Sequence, residues 1–303
     1  MGSKKLLFIY NPFSGMGKVR HNLADIIDEL VAGGYEVTVH PTQGKEDATK
    51  IAEQCGGNYD LVVCCGGDGT LDETVTGLLR GGNETLLGYI PAGSTNDFAN
   101  SLGLPKDMKK AAEIAVTGDV FRSDIGRFGD DTFVYVAAFG VFTDVSYETS
   151  QNLKNIFGHA AYILEGAKRL GTYESYHMRV EYDGQQIEDD FIYGMISNSE
   201  SVGGFKGMTG NHVQLDDGVF EVTLIKAPHN PVELNEIIAY LTGLKDDSNL
   251  IYAFKTGEIS FYPCTEIPWT LDGEFGGNQT QITIKIDRRA LPIRVPKQEG
   301  DIG

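Results

Sequence analysis

The segment Asp60-Leu-Val-Val-Cys-Cys-Gly-Gly-Asp-Gly-Thr-Leu-Asp-Glu73 decides how this chain is read. Its first half, Leu61 to Cys65, is a continuous apolar run, as a parallel strand covered on both faces requires. Its second half, Gly66-Gly67-Asp68-Gly69-Thr70, opens onto a helix expected from Leu71 to Leu79. In a parallel sheet that junction lies at the carboxyl edge, where ligands bind. Glycines there let backbone N–H groups approach phosphate oxygens without a Cβ in the way. The helix start adds the positive end of its dipole. An acid between the glycines would repel bare phosphate, so Asp68 makes sense as the holder of a cation, Mg2+ by charge and hardness, that phosphates share. The plainer alternative is a glycine-rich turn whose Asp caps the helix.

Moving outward, two more strand ends look alike. Asn11-Pro12-Phe13-Ser14-Gly15 follows the apolar run Leu6 to Tyr10, and Pro91-Ala-Gly-Ser-Thr-Asn-Asp-Phe98 follows the run Leu86 to Ile90. Each alone reads as a loop with a helix N-cap; three on consecutive strand ends form a rim. Between them, Leu23, Ile26, Ile27, Leu30 and Val31 mark one helix face that Gly33-Gly34 ends. Glu36 to His40 alternates as a strand, Ala48 to Cys55 is helical, and Ala111 to Val116 forms a last helix. The βαβα alternation over residues 1–121 predicts an α/β nucleotide-binding domain with a parallel sheet. Gly17-Lys18 lacks a P-loop context and no GxGxxG follows the first strand, which excludes a Walker-type site and a standard dinucleotide fingerprint.

After residue 121 short alternating segments take over: Thr132–Ala138, His177–Tyr182, Ile187–Ser197, Val219–Ile225, Glu258–Tyr262 and Ile282–Ile286. Asp183-Gly184, Asp217-Gly218 and Asp272-Gly273 supply hairpin-type turns. Helices are expected at Leu153–Leu170 and from Pro231, with Leu234, Ile237, Ile238 and Leu241 on one face. This predicts a second, mainly antiparallel β domain over 122–290, followed by a C-terminal tail, 291–303.

Lys and Arg total 25 and Asp and Glu 43, a formal charge of −18. That balance excludes nucleic acid as a partner and leaves any anionic membrane contact to a local basic patch. The start of the chain lacks a signal-peptide pattern, and no stretch approaches the ~18 apolar residues of a span. The four cysteines form no CxxC pair, and a reducing cytoplasm is expected. Cys64 and Cys65 read as buried small hydrophobes.

The segments NPFSG, GGDGTLDE, PAGSTNDFA and LDGE, in this order, resemble the diacylglycerol kinase catalytic family of bacterial soluble lipid kinases, which also includes sphingosine kinases. The resemblance runs over essentially the whole chain. GGDGT alone is shared with NAD kinases and loosely with phosphofructokinases; the NDFA and LDGE segments favour lipid kinases. The resemblance implies a two-domain fold with an NAD kinase/phosphofructokinase-like first domain, ATP in the interdomain cleft, and phosphoryl transfer to a lipid hydroxyl. It assigns Asn11, Pro12, Phe13, Ser14 and Gly15, and Gly67, Asp68, Gly69, Thr70, Leu71, Asp72 and Glu73, to the ATP phosphates. It places Thr42 and Ser94 beside the nucleotide, Ser94 standing where relatives more often carry Thr. The same resemblance implies that Asp68 and Asp97 act through Mg2+ and its waters and that Glu274 is the general base. A structural metal is implied near Gln214, Asp217 and Val219, partly through backbone carbonyls. Tyr135 departs from an Asn common in relatives.

From the residues alone, the base is left open between Asp272 and Glu274, with a plain hairpin turn as a third reading. Asp216-Asp217-Gly218 likewise reads as a turn. Two other functions are kept in view: an NAD kinase-like phosphotransferase and a non-catalytic lipid- or nucleotide-binding regulator. The expected partner is a lipid alcohol met in transient contact with a membrane surface by a cytoplasmic, peripherally associated protein; a homodimer is left open. The helix Leu153–Leu170, with Lys154, Lys168 and Arg169 at its ends, is a candidate membrane contact, and so is the run Lys106, Lys109, Lys110. Core packing and a solvated face are their plainer readings.

Overall fold

The computed structural model describes residues 3–141, 174–199, 201–202, 205–206, 214–245 and 247–297. The expected helix Leu153–Leu170 lies outside them. The chain forms two units, residues 1–125 with 288–303, and residues 126–287.

The first unit is built on parallel strands β1 (Lys4–Tyr10), β2 (Tyr35–Pro41), β3 (Leu61–Gly66) and β4 (Leu86–Pro91) in the order β2-β1-β3-β4. Their connections are helices α1 (Lys18–Ala32), α2 (Asp47–Cys55) and α3 (Asp68–Arg80); α4 (Asp97–Ser101) and α5 (Met108–Thr117) follow β4. Leu6, Phe8, Ile26, Leu30, Val63 and Ile90 pack in its core, each side chain contributing about 1.5–3 kcal/mol by leaving water. The expected stripe on α1 is narrower than its sequence suggests: Ile26 and Leu30 are buried, Leu23 and Ile27 are partly covered, Val31 is exposed, and Val19 is buried in its place. Gly34 ends α1 with φ +86°, a left-handed turn that suits glycine.

Strand β5 (Asp119–Phe128) carries the chain into the second unit, and residues 288–295 return it. The second unit is antiparallel: β6 (Asp131–Phe133), β7 (Val136–Gly140), β8 (Tyr176–Tyr182), β9 (Gln185–Ser197), two short strands β10 (Ser201–Val202) and β11 (Phe205–Lys206), β12 (Phe220–Lys226), β13 (Ile251–Thr256), β14 (Glu258–Pro263), β15 (Ile267–Leu271), β16 (Glu274–Gln279) and β17 (Ile282–Val295). Helix α6 (Pro231–Leu241) buries Leu234, Ile237 and Leu241 and is capped by the Asn230 side chain. Phe139, Phe261 and Trp269 form an edge-to-face aromatic core. Among the described residues no helix is long and apolar enough to cross a membrane.

Several boundaries differ from the sequence reading. Helix α3 begins at Asp68, not Leu71, because the Gly67 carbonyl accepts from both Thr70 and Leu71 N–H. The single strand expected at Thr132–Ala138 is two, β6 and β7, interrupted at Val134 and Tyr135. β17 runs to Val295, past the expected start of a tail, and its residues from Arg288 onward fall in the first unit. Asp183-Gly184 and Asp272-Gly273 are two-residue hairpin turns with positive φ at both positions. Asp217-Gly218 is a turn but not such a hairpin, since β12 pairs with β9 and β13.

Candidate active site

The order β2-β1-β3-β4 sends the chain in opposite directions on the two sides of β1. The switch point of an open parallel sheet is where its carboxyl edge opens into a crevice. Register places Tyr10 beside Pro41 and Cys65, and Gly66 beside Pro91, so the turns after all four strands start side by side. Thr42, buried, donates its N–H to the Tyr10 carbonyl at 2.9 Å, and Asn11 donates its own to Cys65 at 2.9 Å.

The turns interlock through glycine. Gly15 has φ +61°, and a Cβ there would lie 2.7 Å from the Ala92 carbonyl oxygen. A Cβ on Gly93 would lie 2.8 Å from the Gly67 Cα and 2.7 Å from Asn96 Oδ1. Asn96, at φ +52°, closes its turn twice: Oδ1 accepts from Gly93 N–H at 2.8 Å and Nδ2 donates to the Gly93 carbonyl at 2.9 Å. The Asn11 side chain accepts from Phe13 N–H at 2.9 Å and reaches Thr70 Oγ1 at 3.4 Å. Ser14 N–H donates to the Asn11 carbonyl at 3.2 Å. Ser94 is exposed at the tip of the third turn.

Asp68 opens α3 with one oxygen engaged and one not. Oδ2 accepts from the Thr95 hydroxyl at 3.1 Å and from Asn96 N–H at 3.0 Å. Oδ1 is buried without a hydrogen-bond partner. Burial, with the charge of Asp97 second, pushes the Asp68 carboxyl up to about 6, against the lowering pull of Thr95 and Asn96. Its place at a helix N-terminus also favours the charged form, but desolvation wins. Asp97 is itself buried in the first turn of α4. A hard carboxylate oxygen, buried and without a partner, beside a second carboxylate, fits a small divalent cation completed by phosphate oxygens and water. The turns around it fit the phosphates.

The other residues of the motif divide. Leu71 is core. Thr70 is buried, and its carbonyl accepts from Thr74 and Cys64. Glu73 turns away from the glycines: its carboxylate accepts from Glu46 N–H at 2.9 Å and Ala48 N–H at 3.3 Å, capping α2. Burial pushes the Cys64 thiol up to about 12 and raises Cys65 further, so neither is a thiolate nucleophile. The sequence reading had no role for Tyr89. Its buried hydroxyl donates to the Gly66 carbonyl at 3.3 Å, beneath the turn that starts α3.

In the second unit the structure separates Asp272 from Glu274. The buried Asp272 carboxylate accepts three consecutive N–H groups, from Val134 at 2.6 Å, Tyr135 at 3.0 Å and Val136 at 2.9 Å. The Tyr135 hydroxyl donates to the Asp272 carbonyl at 3.1 Å. These bonds are what break the expected strand in two. Asp272 is thereby a structural anchor. Glu274, two residues on and first in β16, is exposed and stands opposite Leu271.

Gln214, Asp217 and Val219 lie on the turn that leads into β12. Asp217 Oδ1 accepts from Val219 N–H at 3.2 Å, and the Lys255 ammonium lies 3.7 Å from Asp217 and 2.7 Å from Glu221. Among the described residues no group of three or more His, Cys, Asp or Glu side chains could hold a metal by itself. Lys109 of the candidate basic run pairs with Glu29 at 3.4 Å.

Comparison with known proteins supplies an independent line. Residues 5–128 match the family model of the diacylglycerol kinase catalytic domain, and residues 136–294 match that of the YegS C-terminal NAD kinase beta sandwich-like domain. A diacylglycerol kinase of Bacillus subtilis (strain 168) is 31% identical over 301 residues, 98% of each chain. One from Staphylococcus aureus (strain MRSA252) is 33% identical over 288 residues, 94% of this chain and 90% of the relative. A crystal structure from Bacillus anthracis str. Sterne, described as a candidate diacylglycerol kinase, superposes with a TM-score of 0.81 at 25% identity and covers 97% of this chain and 98% of that one.

Proposed function

The chain belongs to the diacylglycerol kinase family, and from that membership we propose that it transfers the γ-phosphoryl group of ATP to the hydroxyl of a diacylglycerol. The observation that carries this reading is the Asp68 carboxylate, with one oxygen held by Thr95 and Asn96 and the other buried without a partner beside glycine turns shaped for phosphate.

Bound with the nucleotide, Mg2+ would neutralise charge on the transferring phosphoryl group. The chain's own residues do the rest. Backbone groups of 11–15 and 67–70 orient the triphosphate, and Thr42 and Ser94 stand beside the nucleotide. Asp68 and Asp97 would hold the cation and its waters. Glu274 accepts the proton of the lipid hydroxyl. That oxygen bonds to the γ-phosphorus, the bond to the bridging oxygen breaks, and ADP leaves with the electron pair. Positioning of this kind suffices, because phosphoryl transfer asks little covalent chemistry of the protein. The acceptor dwells in a bilayer, so a transient membrane contact belongs to the same proposal.

The test is a screen of acceptors with γ-labelled ATP: a diacylglycerol, a sphingoid base, a polyprenol and NAD. Label in phosphatidic acid supports the proposal. Label in NADP alone decides for the NAD kinase-like alternative, and ATP binding without transfer to any acceptor decides for a regulator.

A further inference from the structure

Thr95 lies between Ser94 and Asn96 in the turn that follows β4, and it is exposed. Its hydroxyl nevertheless donates across to the neighbouring turn, to Asp68 Oδ2 at 3.1 Å. The Asn96 N–H reaches the same oxygen at 3.0 Å. Two donors on one carboxylate oxygen achieve what one does not. The terminal torsion of an aspartate is broad, so a carboxylate held by a single bond still swings about it. The second bond fixes its plane, and Oδ1, buried and without a hydrogen-bond partner, keeps one direction.

The donor is itself held from both sides. The Thr95 carbonyl accepts from Asn100 Nδ2 at 3.0 Å. Asn96, the next residue, sits at φ +52° with its side chain bonded twice to Gly93. Threonine adds a branched side chain that is stiff at χ1, so the hydroxyl is presented to Asp68 with little freedom left to lose. A Cβ on Gly93 would lie 2.8 Å from the Gly67 Cα, and this close approach brings the two turns within reach of the bond.

We propose that Thr95 is a positioning residue for the divalent cation: its hydroxyl, with the Asn96 N–H, orients the Asp68 carboxylate so that Oδ1 is available to a cation that the nucleotide carries. The proposal rests on the function given above for the presence of that cation and is independent of the acceptor. Thr95 makes only the metal-dependent part of nucleotide binding stronger.

The experiment titrates Mg2+ into the full chain with a non-hydrolysable ATP analogue and measures analogue affinity by calorimetry at each free Mg2+ concentration. The parent, Thr95→Val and Thr95→Ser are compared. Valine keeps the branched shape and removes the donor; serine keeps the donor. Thr95→Val is expected to raise the half-saturating Mg2+ about tenfold, with analogue affinity in chelator within about twofold of the parent. Thr95→Ser is expected to stay within about threefold of the parent in both, the small loss coming from its freer χ1. An unchanged half-saturating Mg2+ in Thr95→Val, an equal loss of affinity with and without Mg2+, or a Thr95→Ser protein as impaired as Thr95→Val overturns the proposal. Those results leave phosphoryl transfer to a diacylglycerol standing, since the acceptor screen tests it on the parent alone. A parent whose analogue binding ignores Mg2+ removes the role of Asp68 and that of Thr95 together.

Discussion

Asp272 and Tyr135, 137 residues apart in sequence, bind each other twice. The Tyr135 backbone N–H donates to the Asp272 carboxylate at 3.0 Å, and the Tyr135 hydroxyl donates to the Asp272 carbonyl at 3.1 Å. With Val134 and Val136 also donating, the turn that precedes Glu274 is locked to the start of β7. Removing the acceptor leaves three buried N–H groups without it, so Asp272→Ala should cost about 3–4 kcal/mol in a urea titration. Tyr135→Phe, which deletes one hydroxyl bond, should cost about 1 kcal/mol. Asp272→Ala should also lower kcat by letting Glu274 wander, with KM for ATP unmoved.

The Asp68 carboxyl sits at about 6 against an ordinary 3.8, held up first by burial and then by Asp97. The native state therefore keeps this proton more tightly than the unfolded chain. Its contribution to stability falls as pH rises from about 4 to about 6 and is flat above that. In a chelator, Asp68→Asn should be more stable than the parent at pH 7 by on the order of 1 kcal/mol, with the difference vanishing near pH 4. Thermal unfolding of the two proteins across that range checks this. Cation affinity runs the other way, weakening as pH drops through about 6 and the carboxylate is protonated.

Gly15 and Gly17 make a controlled pair. Both have positive φ, but a Cβ on Gly15 meets the Ala92 carbonyl at 2.7 Å while one on Gly17 meets nothing within 4 Å. Gly17→Ala should cost only backbone strain, about 1 kcal/mol, and leave ATP binding near the parent. Gly15→Ala must also push two turns apart, and its ATP affinity should fall at least about tenfold. Calorimetric titration with a non-hydrolysable ATP analogue separates the two.

Glu73 belongs to the GGDGTLDE segment, yet its carboxylate caps α2. Glu73→Ala should lose about 1–2 kcal/mol of stability with KM for ATP nearly unchanged. A large rise in KM at full stability would return Glu73 to the phosphates.

Much of this architecture was legible because it depends on short-range pattern. The apolar run at Leu61–Cys65, the glycines after it and the acid between them announce a parallel strand meeting a ligand-bearing turn. What was hidden depends on partners far away in the chain. Nothing local distinguishes Asp272 from Glu274; only the approach of Val134–Val136 assigns one to anchoring and leaves the other exposed. Glu274-Phe-Gly-Gly-Asn-Gln279 reads as a loop until β15 pairs with it, since two glycines remove the alternation by which strands are recognised. Tyr89 lies unremarkably within the run Leu86 to Ile90, and its hydroxyl acquires meaning only once β3 lies alongside. The NPFSG turn and the PAGSTNDFA turn could be suspected of converging, but the contact between Gly67 and Gly93 required the register of β3 against β4.

The most direct test follows γ-labelled ATP into diacylglycerol with the parent and Glu274→Gln side by side, ATP binding being measured in parallel. Labelled phosphatidic acid is expected from the parent, with a fall in kcat of at least about 100-fold in Glu274→Gln and equal ATP affinity in both. Label transfer at the parent's rate by Glu274→Gln, or none by the parent with any lipid alcohol, would contradict the proposed function.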